Sequence, residues 1–162
     1  MKTIAKATLA LLLCIACTSA NTEIAEQQTF NSYWNQGKAE ITAYSLTQAR
    51  YGELREGKAV TIFVTEPWND EAQVKSDGQG DYQVMKMNLT KNFITGVYPY
   101  SMMTSAFAKA ENSETQKVTT TSQEWCGHTY TQLNKVDDSW RFQQRSYFES
   151  EGDEDFDLGD CL

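Results

Sequence analysis

The sequence predicts an all-β protein with a single antiparallel domain, either a sandwich or a strongly curved sheet approaching a barrel. About seven or eight strand-like segments follow one another at hairpin spacing, without an internal repeat or a Gly-rich phosphate loop. Ala59–Thr65 is a continuous β-branched and aromatic run, which is typical of a strand buried on both faces. From Trp140 to Phe148, apolar and polar side chains alternate, as on a strand with one buried face. Trp140, Phe142 and Phe148 share the apolar face, and Arg141, Gln143 and Arg145 share the polar face.

The first sixteen residues have the layout of a secretory signal. Lys2 and Lys6 give a basic start, and the apolar run Ala7–Ala16 is too short to span a bilayer. Ala16 directly precedes Cys17, as in bacterial lipoprotein signals, in which the cysteine thiol receives a diacylglyceryl group and becomes the new N-terminus. Cys14 stands where such signals usually carry Leu. The alternative is therefore cleavage after Thr18-Ser19-Ala20, which leaves a soluble periplasmic protein.

The lipoprotein interpretation divides the chain into a signal peptide at 1–16, a lipidated Cys17 with a flexible tether at 17–29, and a β-rich domain at 30–162. Each buried methylene of the lipid adds about 0.8 kcal/mol, so two or three acyl chains hold a protein on the membrane almost permanently. Thr18, in place of Asp, after the cysteine favours transfer to the outer membrane. We therefore expect an outer-membrane lipoprotein of the bacterial cell envelope, facing the periplasm or the exterior.

The chain is acidic, with a net charge of −8 that becomes −10 once Lys2 and Lys6 are removed with the signal. Seven acidic residues and no basic ones lie between Glu149 and Asp160. Such a chain has no electrostatic footprint for nucleic acid, and anionic lipid heads would repel it. The charge therefore excludes nucleic acid as an expected partner.

The early strands predicted from the sequence are Gly37–Leu46 and Ala49–Leu54, and the second is joined to Ala59–Thr65 by a hairpin loop at Arg55–Lys58. Pro67 prevents ladder donation at its own position. A loop is expected at Ser76–Asp81. The later strands are centred on Met85–Leu89, Phe93–Val97, Tyr100–Phe107, Lys117–Gln123 and His128–Leu133, with a short helix competing at Ala106–Glu114 and a turn at Lys135–Ser139.

The segment Glu124-Trp125-Cys126-Gly127-His128 has the densest chemistry in the chain. In a strand, Cys126 and His128 would share a face about 6.6 Å apart, close enough to suggest a thiol nucleophile and its base. The alternative is a structural segment in which Cys126 packs as a small hydrophobe and His128 is hydrogen-bonded on the sheet. Cys126 either pairs with Cys161 or stays a free thiol. One His and two usable Cys fall short of most zinc ligand sets, so no metal site is predicted.

Two further groups of residues are candidates for binding. The acidic run Asp153–Asp160 resembles a calcium loop, but Leu158 stands where an EF-hand needs Gly, so a solvated acidic loop is the preferred interpretation. The stretch Tyr98–Met103, with Met85 and Met87, has the composition of an adaptable apolar pocket. Arginines on polar strand faces provide charge for an anionic ligand at a barrel mouth. The binding candidates are Arg50, Tyr98, Tyr100 and Met102, with Arg141 and Arg145 as further possible anion ligands.

Four segments carry a resemblance to a known group of proteins. They are Tyr33–Glu40, Gln48–Glu53, Gly96–Met103 and Gln123–His128. Together they resemble uncharacterised envelope lipoproteins of Bacteroidetes, over a region from about Tyr33 to the C-terminus. Members of this group often carry the automatic label "septum formation inhibitor Maf". True Maf proteins are cytoplasmic nucleotide pyrophosphatases on an α/β scaffold, and nothing in this chain matches their motifs. The resemblance implies an envelope address and a longer C-terminus in the relatives, which predicts that the β-rich domain is C-terminally incomplete.

Taken together, the sequence predicts an exported, lipid-anchored binding or scaffolding module that holds an apolar ligand or an envelope protein without a cofactor. The alternative is an envelope hydrolase or thiol-dependent enzyme that uses Cys126 and His128. A third hypothesis is a structural piece of a larger envelope assembly.

Overall fold

The computed structural model describes residues 28–159, which form one short helix and nine β-strands. Residues 1–27, with the predicted signal and Cys17, and residues 160–162, with Cys161, lie outside the described part. Helix α1 covers residues 28–34. The strands are β1 (Glu40–Arg50), β2 (Glu53–Asn69), β3 (Val74–Lys75), β4 (Tyr82–Thr95), β5 (Tyr98–Lys109), β6 (Thr115–Glu124), β7 (Gly127–Val136), β8 (Ser139–Ser146) and β9 (Glu154–Leu158).

The chain divides into two units, one ending at Lys38 and the other beginning at Ala39. In the first unit, the rings of Phe30 and Trp34 lie 6.4 Å apart on α1, as residues four apart on one helix face do. Beyond the helix, the amide of Asn35 still donates to the carbonyl of Asn31. Gly37 has a φ of +68°, a left-handed conformation that commonly follows helix ends. The sequence did not predict this helix.

All nine strands belong to one antiparallel sheet in the second unit. The order is β1-β2-β4-β5-β6-β7-β8-β9, with the two-residue β3 paired to the end of β2. Successive strands are therefore neighbours throughout, apart from the small branch at β3, so the chain is a long meander of hairpins. The prediction of a single antiparallel all-β domain is confirmed. The strands form one open sheet, neither closed into a barrel nor split into two packed sheets.

The register assigns each side chain to one of two faces, because directly opposite residues point to the same side of an antiparallel pair. We call one side the Trp68 face, since it carries Trp68, Val84 and Phe107. The other side is the Tyr100 face, which carries Phe93 and Tyr100. One row on the Tyr100 face crosses seven strands with apolar residues only, namely Phe63, Met87, Ala106, Val118, Leu133, Phe142 and Phe156.

Only a small group of apolar side chains is fully buried in the described part of the chain. Trp68 is 1% exposed and Val84 has no exposed surface, and Ala59, Phe93 and Tyr100 complete the group. A single sheet has no second layer to cover its faces, so most of its apolar side chains are only half-buried. The carboxylate of Glu66, also buried, is neutralised by the ammonium groups of Lys75 and Lys86, each 3.2 Å away.

The sheet compensates by curling at both ends. At one end, the hydroxyl of Tyr51, in the turn after β1, lies 2.8 Å from that of Tyr100 on β5, although β2 and β4 intervene. At the other end, the turn after β2 reaches β6, where Lys117 donates to the carbonyl of Gln73 over 3.0 Å. The first contact lies on the Tyr100 face and the second on the Trp68 face, by the register of Lys117. We name these ends the Tyr51 end and the Asp70 end after the turns that they contain.

The predicted hairpin loop at Arg55–Lys58 is wrong, because the turn lies earlier, at Tyr51-Gly52. Both turn residues have positive φ (56° and 74°), as a two-residue type I′ hairpin requires. Gly57 is a strand residue and not a turn residue. A Cβ there would lie 2.3 Å from the carbonyl oxygen of Asn92, so glycine permits the close approach of β2 and β4.

Three other local predictions change. No helix forms at Ala106–Glu114, where β5 continues to Lys109 and pairs with β4. The acidic segment predicted as a solvated loop contains β9, whose Asp155 and Asp157 lie opposite Gln143 and Arg141 on β8. The alternation along β8 is confirmed from Trp140 to Arg145, but Phe148 lies beyond the strand.

We expect Trp68→Ala to lower the free energy of unfolding by about 3–5 kcal/mol, because it empties a fully buried site beside the ring of Phe107, 5.1 Å away. Urea unfolding followed by circular dichroism measures the change. The control is Trp125→Ala, since Trp125 is 67% exposed and its loss should cost less than about 1 kcal/mol. Equal costs for the two variants would contradict this description of the core.

Candidate functional site

The Tyr51 end of the sheet gathers the turns β1–β2, β4–β5 and β6–β7 with the connection from β8 to β9. The five most exposed large apolar side chains of the described residues all lie there: Val97, Leu54, Tyr147, Tyr51 and Trp125. Single exposed apolar residues are common on any protein, but their concentration at one end is not. This end is therefore the first candidate for a functional surface.

A cavity of about 150 Å³ opens at the same end, formed by β1, β4, β5 and β6. It is lined by Gln48, Ala49, Arg50, Lys91, Phe93, Tyr100, Met102, Ser122 and Glu124. The curl of the sheet forms it, because the turn after β1 folds over β4 towards β5. Three of the four binding residues predicted from the sequence, Arg50, Tyr100 and Met102, line this one cavity.

Aromatic rings form one wall of the cavity. Phe93 and Tyr100 are directly opposite on β4 and β5, and their rings stack with centroids 4.7 Å apart and planes 1° from parallel. Tyr98, the fourth predicted binding residue, lies behind this wall, with its ring 5.4 Å from Tyr100 and also 5.4 Å from Trp125. The wall therefore extends from the cavity to the exposed turn.

Arg50 lies across the mouth of this wall. Its guanidinium carbon is 4.6 Å from the ring centre of Tyr51 and 5.2 Å from that of Tyr100, within the range of cation–π attraction. Hydrogen bonding to Tyr100, opposed by partial burial, raises the pKa of Arg50 above its ordinary value. No carboxylate of residues 28–159 lies within ion-pair distance of Arg50. Its positive charge is therefore not neutralised locally.

The two tyrosine hydroxyls of the wall have perturbed acidity. Burial, and to a smaller extent the neighbouring thiol of Cys126, raises the pKa of Tyr98 to about 12. Burial also raises the pKa of Tyr100, and Tyr51 and Glu124 add to this increase while Arg50 opposes it. Both phenols therefore remain protonated at neutral pH. They can donate hydrogen bonds but cannot act as bases.

Lys91 and Glu124 complete the charged lining, and the sequence did not single them out as binding residues. Lys91 is half-buried and lies directly opposite Met102. It has no ion pair within the described part of the chain. One carboxylate oxygen of Glu124, Oε2, is buried without a hydrogen-bond partner. An unpartnered buried oxygen is costly, so this group is a site of unsatisfied hydrogen-bonding capacity.

The residues of the enzyme hypothesis lie outside this cavity. Cys126 is an exposed free thiol in the turn between β6 and β7, whereas His128 is exposed on β7 opposite Gln123. Among residues 28–159, no hydrogen bond joins the thiol of Cys126 to the ring of His128. Cys126 is thus not the buried thiol of the structural alternative, and it is not assembled with a base either.

The remaining predicted anion ligands, Arg141 and Arg145, lie on the Trp68 face and form ion pairs with aspartates of β9. Arg141 pairs with Asp157 over 3.1 Å and Arg145 with Asp155 over 2.8 Å. The hydrogen bond from Arg145 lowers the pKa of Asp155. These contacts hold the edge strand β9 on β8, far from the Arg50 cavity in the order of strands.

A second, larger cavity of about 680 Å³ lies at the Asp70 end. Its lining is polar and includes Gln73, Glu114, Asn134, Lys135 and Asp138. Glu114 pairs with Lys109 over 2.9 Å and also contacts Lys135, while Gln73 donates to the carbonyl of Lys135. Four further acidic side chains line this cavity without an ion pair in the described structure, so it is acidic overall: Asp70, Glu71, Asp137 and Asp138.

The histidine, cysteine and acidic side chains of residues 28–159 form no group of three that could hold a metal ion. In the same range, no helix is long and apolar enough to cross a bilayer.

We expect the acid sensitivity of the protein to depend on Glu114. Hydrogen bonds from Lys135 and Lys109 lower its pKa to about 2 in the folded protein, compared with about 4.3 in an unfolded chain. The stabilisation from this carboxylate is complete above the unfolded pKa and is lost as pH falls towards 2. Glu114→Gln should therefore flatten the decline of unfolding free energy between pH 4.5 and 2, as measured by urea unfolding.

The control for Glu114 is Glu111→Gln, because Glu111 is exposed on the same connection and has no ion pair in the described structure. This variant should keep the steep acid decline. The same slope in the Glu114 variant and the unaltered protein would refute the assignment.

In comparisons with known proteins, no protein-family model, curated protein or solved structure matches the chain.

Proposed function

We propose that this protein is an exported, lipid-anchored module of the bacterial cell envelope that binds a ligand or partner protein at the Tyr51 end of its sheet. The observation that carries the binding role is the coincidence of two features at one end of the sheet. The five most exposed large apolar side chains surround the same end at which the Arg50 cavity opens. Apolar patches of this kind, beside a pocket with a few polar groups, are typical of recognition sites.

Four of these five apolar side chains lie outside the strands, on turns and connections, which supports a contact surface instead of a folding core. Val97 is 83% exposed at the tip of the β4–β5 turn, and Trp125 occupies the tip of the β6–β7 turn. Tyr147 follows the end of β8, and its backbone amide donates to the carbonyl of His128 on the neighbouring strand. Rigid strands therefore present these tips at fixed positions.

Binding is favoured over catalysis because the enzyme hypothesis lacks its assembled pair. A thiol nucleophile needs a base within hydrogen-bond reach, and Cys126 and His128 do not provide one in this conformation. The envelope address and the lipid anchor rest on the N-terminal sequence pattern alone. On this proposal, envelope partners are available to the Tyr51 end.

We expect the triple substitution of Val97, Trp125 and Tyr147 to Ser to reduce the capture of a partner at least about tenfold. The reason is that exposed apolar and aromatic side chains contribute most of the binding energy at protein interfaces. Chemical cross-linking in intact envelopes, followed by affinity purification of this chain, measures the captured protein.

The matched control is the triple substitution of Ile41, Val74 and Val136 to Ser. These side chains are also exposed and apolar, but none of them lies at the Tyr51 end: Val74 and Val136 lie at the Asp70 end, and Ile41 lies opposite Ile62 in the middle of β2. Capture should be unchanged in this variant. Equal losses in the two triple variants would disprove the assignment of binding to the Tyr51 end.

The lipid anchor is tested separately by the mass of the mature N-terminus. We expect a diacylglyceryl-modified Cys17 in the membrane fraction, and we expect Cys17→Ala to release the protein from it, because the acyl chains supply the attachment. An unmodified N-terminus at Asn21 would instead establish the soluble alternative.

A further inference from the structure

The charges around the Arg50 cavity define a ligand more closely than the proposed function does. We propose that the cavity binds an apolar amino-acid unit with a free α-carboxylate, either a free amino acid or the C-terminal residue of a peptide. This inference rests on the proposed binding role and concerns the same end of the sheet. It assigns the carboxylate to Arg50 and Lys91, the N–H group to Glu124, and the side chain to the aromatic wall.

The size of the cavity limits the ligand first. Its volume is about 150 Å³. Pockets for drug-sized molecules are about 300–1,000 Å³. The cavity therefore has room for one small apolar body, such as the side chain of a single residue, and not for a lipid chain or a nucleotide.

The basic groups require an anion. Seven of the basic side chains on the sheet form ion pairs: Arg55, Lys75, Lys86, Lys109, Lys135, Arg141 and Arg145. Arg50 and Lys91 are among the few that do not, and both line this cavity. These two cations outnumber the one carboxylate of the lining, that of Glu124, so the cavity is positively charged in a chain with a net charge of −8. A carboxylate seated between them would form charge-assisted hydrogen bonds with both.

Glu124 then requires a donor close to that carboxylate. Glu124 lies on β6 and is the only negatively charged side chain among the residues that line the cavity. Its Oε2 atom is buried without a hydrogen-bond partner, and the carboxylate also interacts with the hydroxyl of Tyr100. The α-ammonium of an amino acid, or the terminal amide N–H of a peptide, lies next to the α-carboxylate in every such ligand. A simple fatty or aromatic acid lacks that donor.

The apolar body of the ligand packs on Phe93, Tyr100 and Met102. The two rings are stacked and Arg50 lies over the ring of Tyr100, so the wall is rigid. Met102 is flexible and polarisable, which lets the cavity accept apolar side chains of slightly different shape. The site therefore selects the charged backbone strictly and the side chain loosely.

Four probes test this assignment by isothermal titration of the purified full-length protein: leucine, N-acetylleucine, N-acetylleucinamide and 4-methylpentanoate. We expect N-acetylleucinamide, which has no carboxylate, and 4-methylpentanoate, which has no N–H donor, each to bind at least about tenfold more weakly than the best probe. Preference for leucine over N-acetylleucine identifies a free amino acid as the ligand. The reverse preference identifies a peptide C-terminus.

The matched variants are Lys91→Gln and Lys58→Gln. Lys58 is an exposed lysine without an ion pair on the neighbouring strand β2, and the register places it on the opposite face, beside Asn92. Both variants lose one positive charge, but only Lys91→Gln should weaken the best probe, by about tenfold. Glu124→Gln should reduce the preference for that probe over 4-methylpentanoate.

Three results would overturn the inference: no binding of any probe, equal binding of N-acetylleucinamide and the best probe, or equal effects of the Lys91 and Lys58 variants. These results leave the proposed function separately testable, because partner capture through Val97, Trp125 and Tyr147 does not require the cavity. Failure of capture with successful titration would instead retain the ligand site and refute the docking surface.

Discussion

The architecture depends on one constraint, which is that a single sheet must bury its own apolar side chains. Without a second layer, the strands can achieve this only by curling, and the contact between the hydroxyls of Tyr51 and Tyr100 fixes the curl at one end. The stacked pair of Phe93 and Tyr100 becomes buried there, and Trp68 and Val84 become buried on the opposite face near the other end. The Arg50 cavity is a consequence of the same curl, because its walls come from strands that a flat sheet would hold apart.

Much of the fold could be predicted from local sequence, because antiparallel hairpins are local structures. The run Ala59–Thr65 lies within β2, and the alternation from Trp140 to Arg145 is that of β8. The errors occur where a residue's role depends on a neighbouring strand. Glycine is a common turn residue, but Gly57 lies inside β2. The segment that forms β9 is acidic, and it forms a strand because Arg141 and Arg145 on β8 pair with two of its carboxylates.

The candidate site was predicted in part. The side-chain chemistry of Arg50, Tyr100 and Met102 predicts a binding role from the sequence, and the fold brings the three residues together around one cavity. The sequence did not predict Lys91 and Glu124 as binding residues. They are candidates because Lys91 has no ion pair and Glu124 has an unpartnered oxygen in the described structure. Ion pairs between distant residues cannot be assigned from a sequence, so an unpaired lysine is visible only after the other lysines have been placed.

The edge strand β9 has a consequence for how copies of this protein meet. Its five residues carry three carboxylates, Glu154, Asp155 and Asp157, and two of them are held by arginines of β8. A second molecule approaching edge to edge would bring more negative charge against this border, which opposes the endless lateral stacking that leads to fibrils.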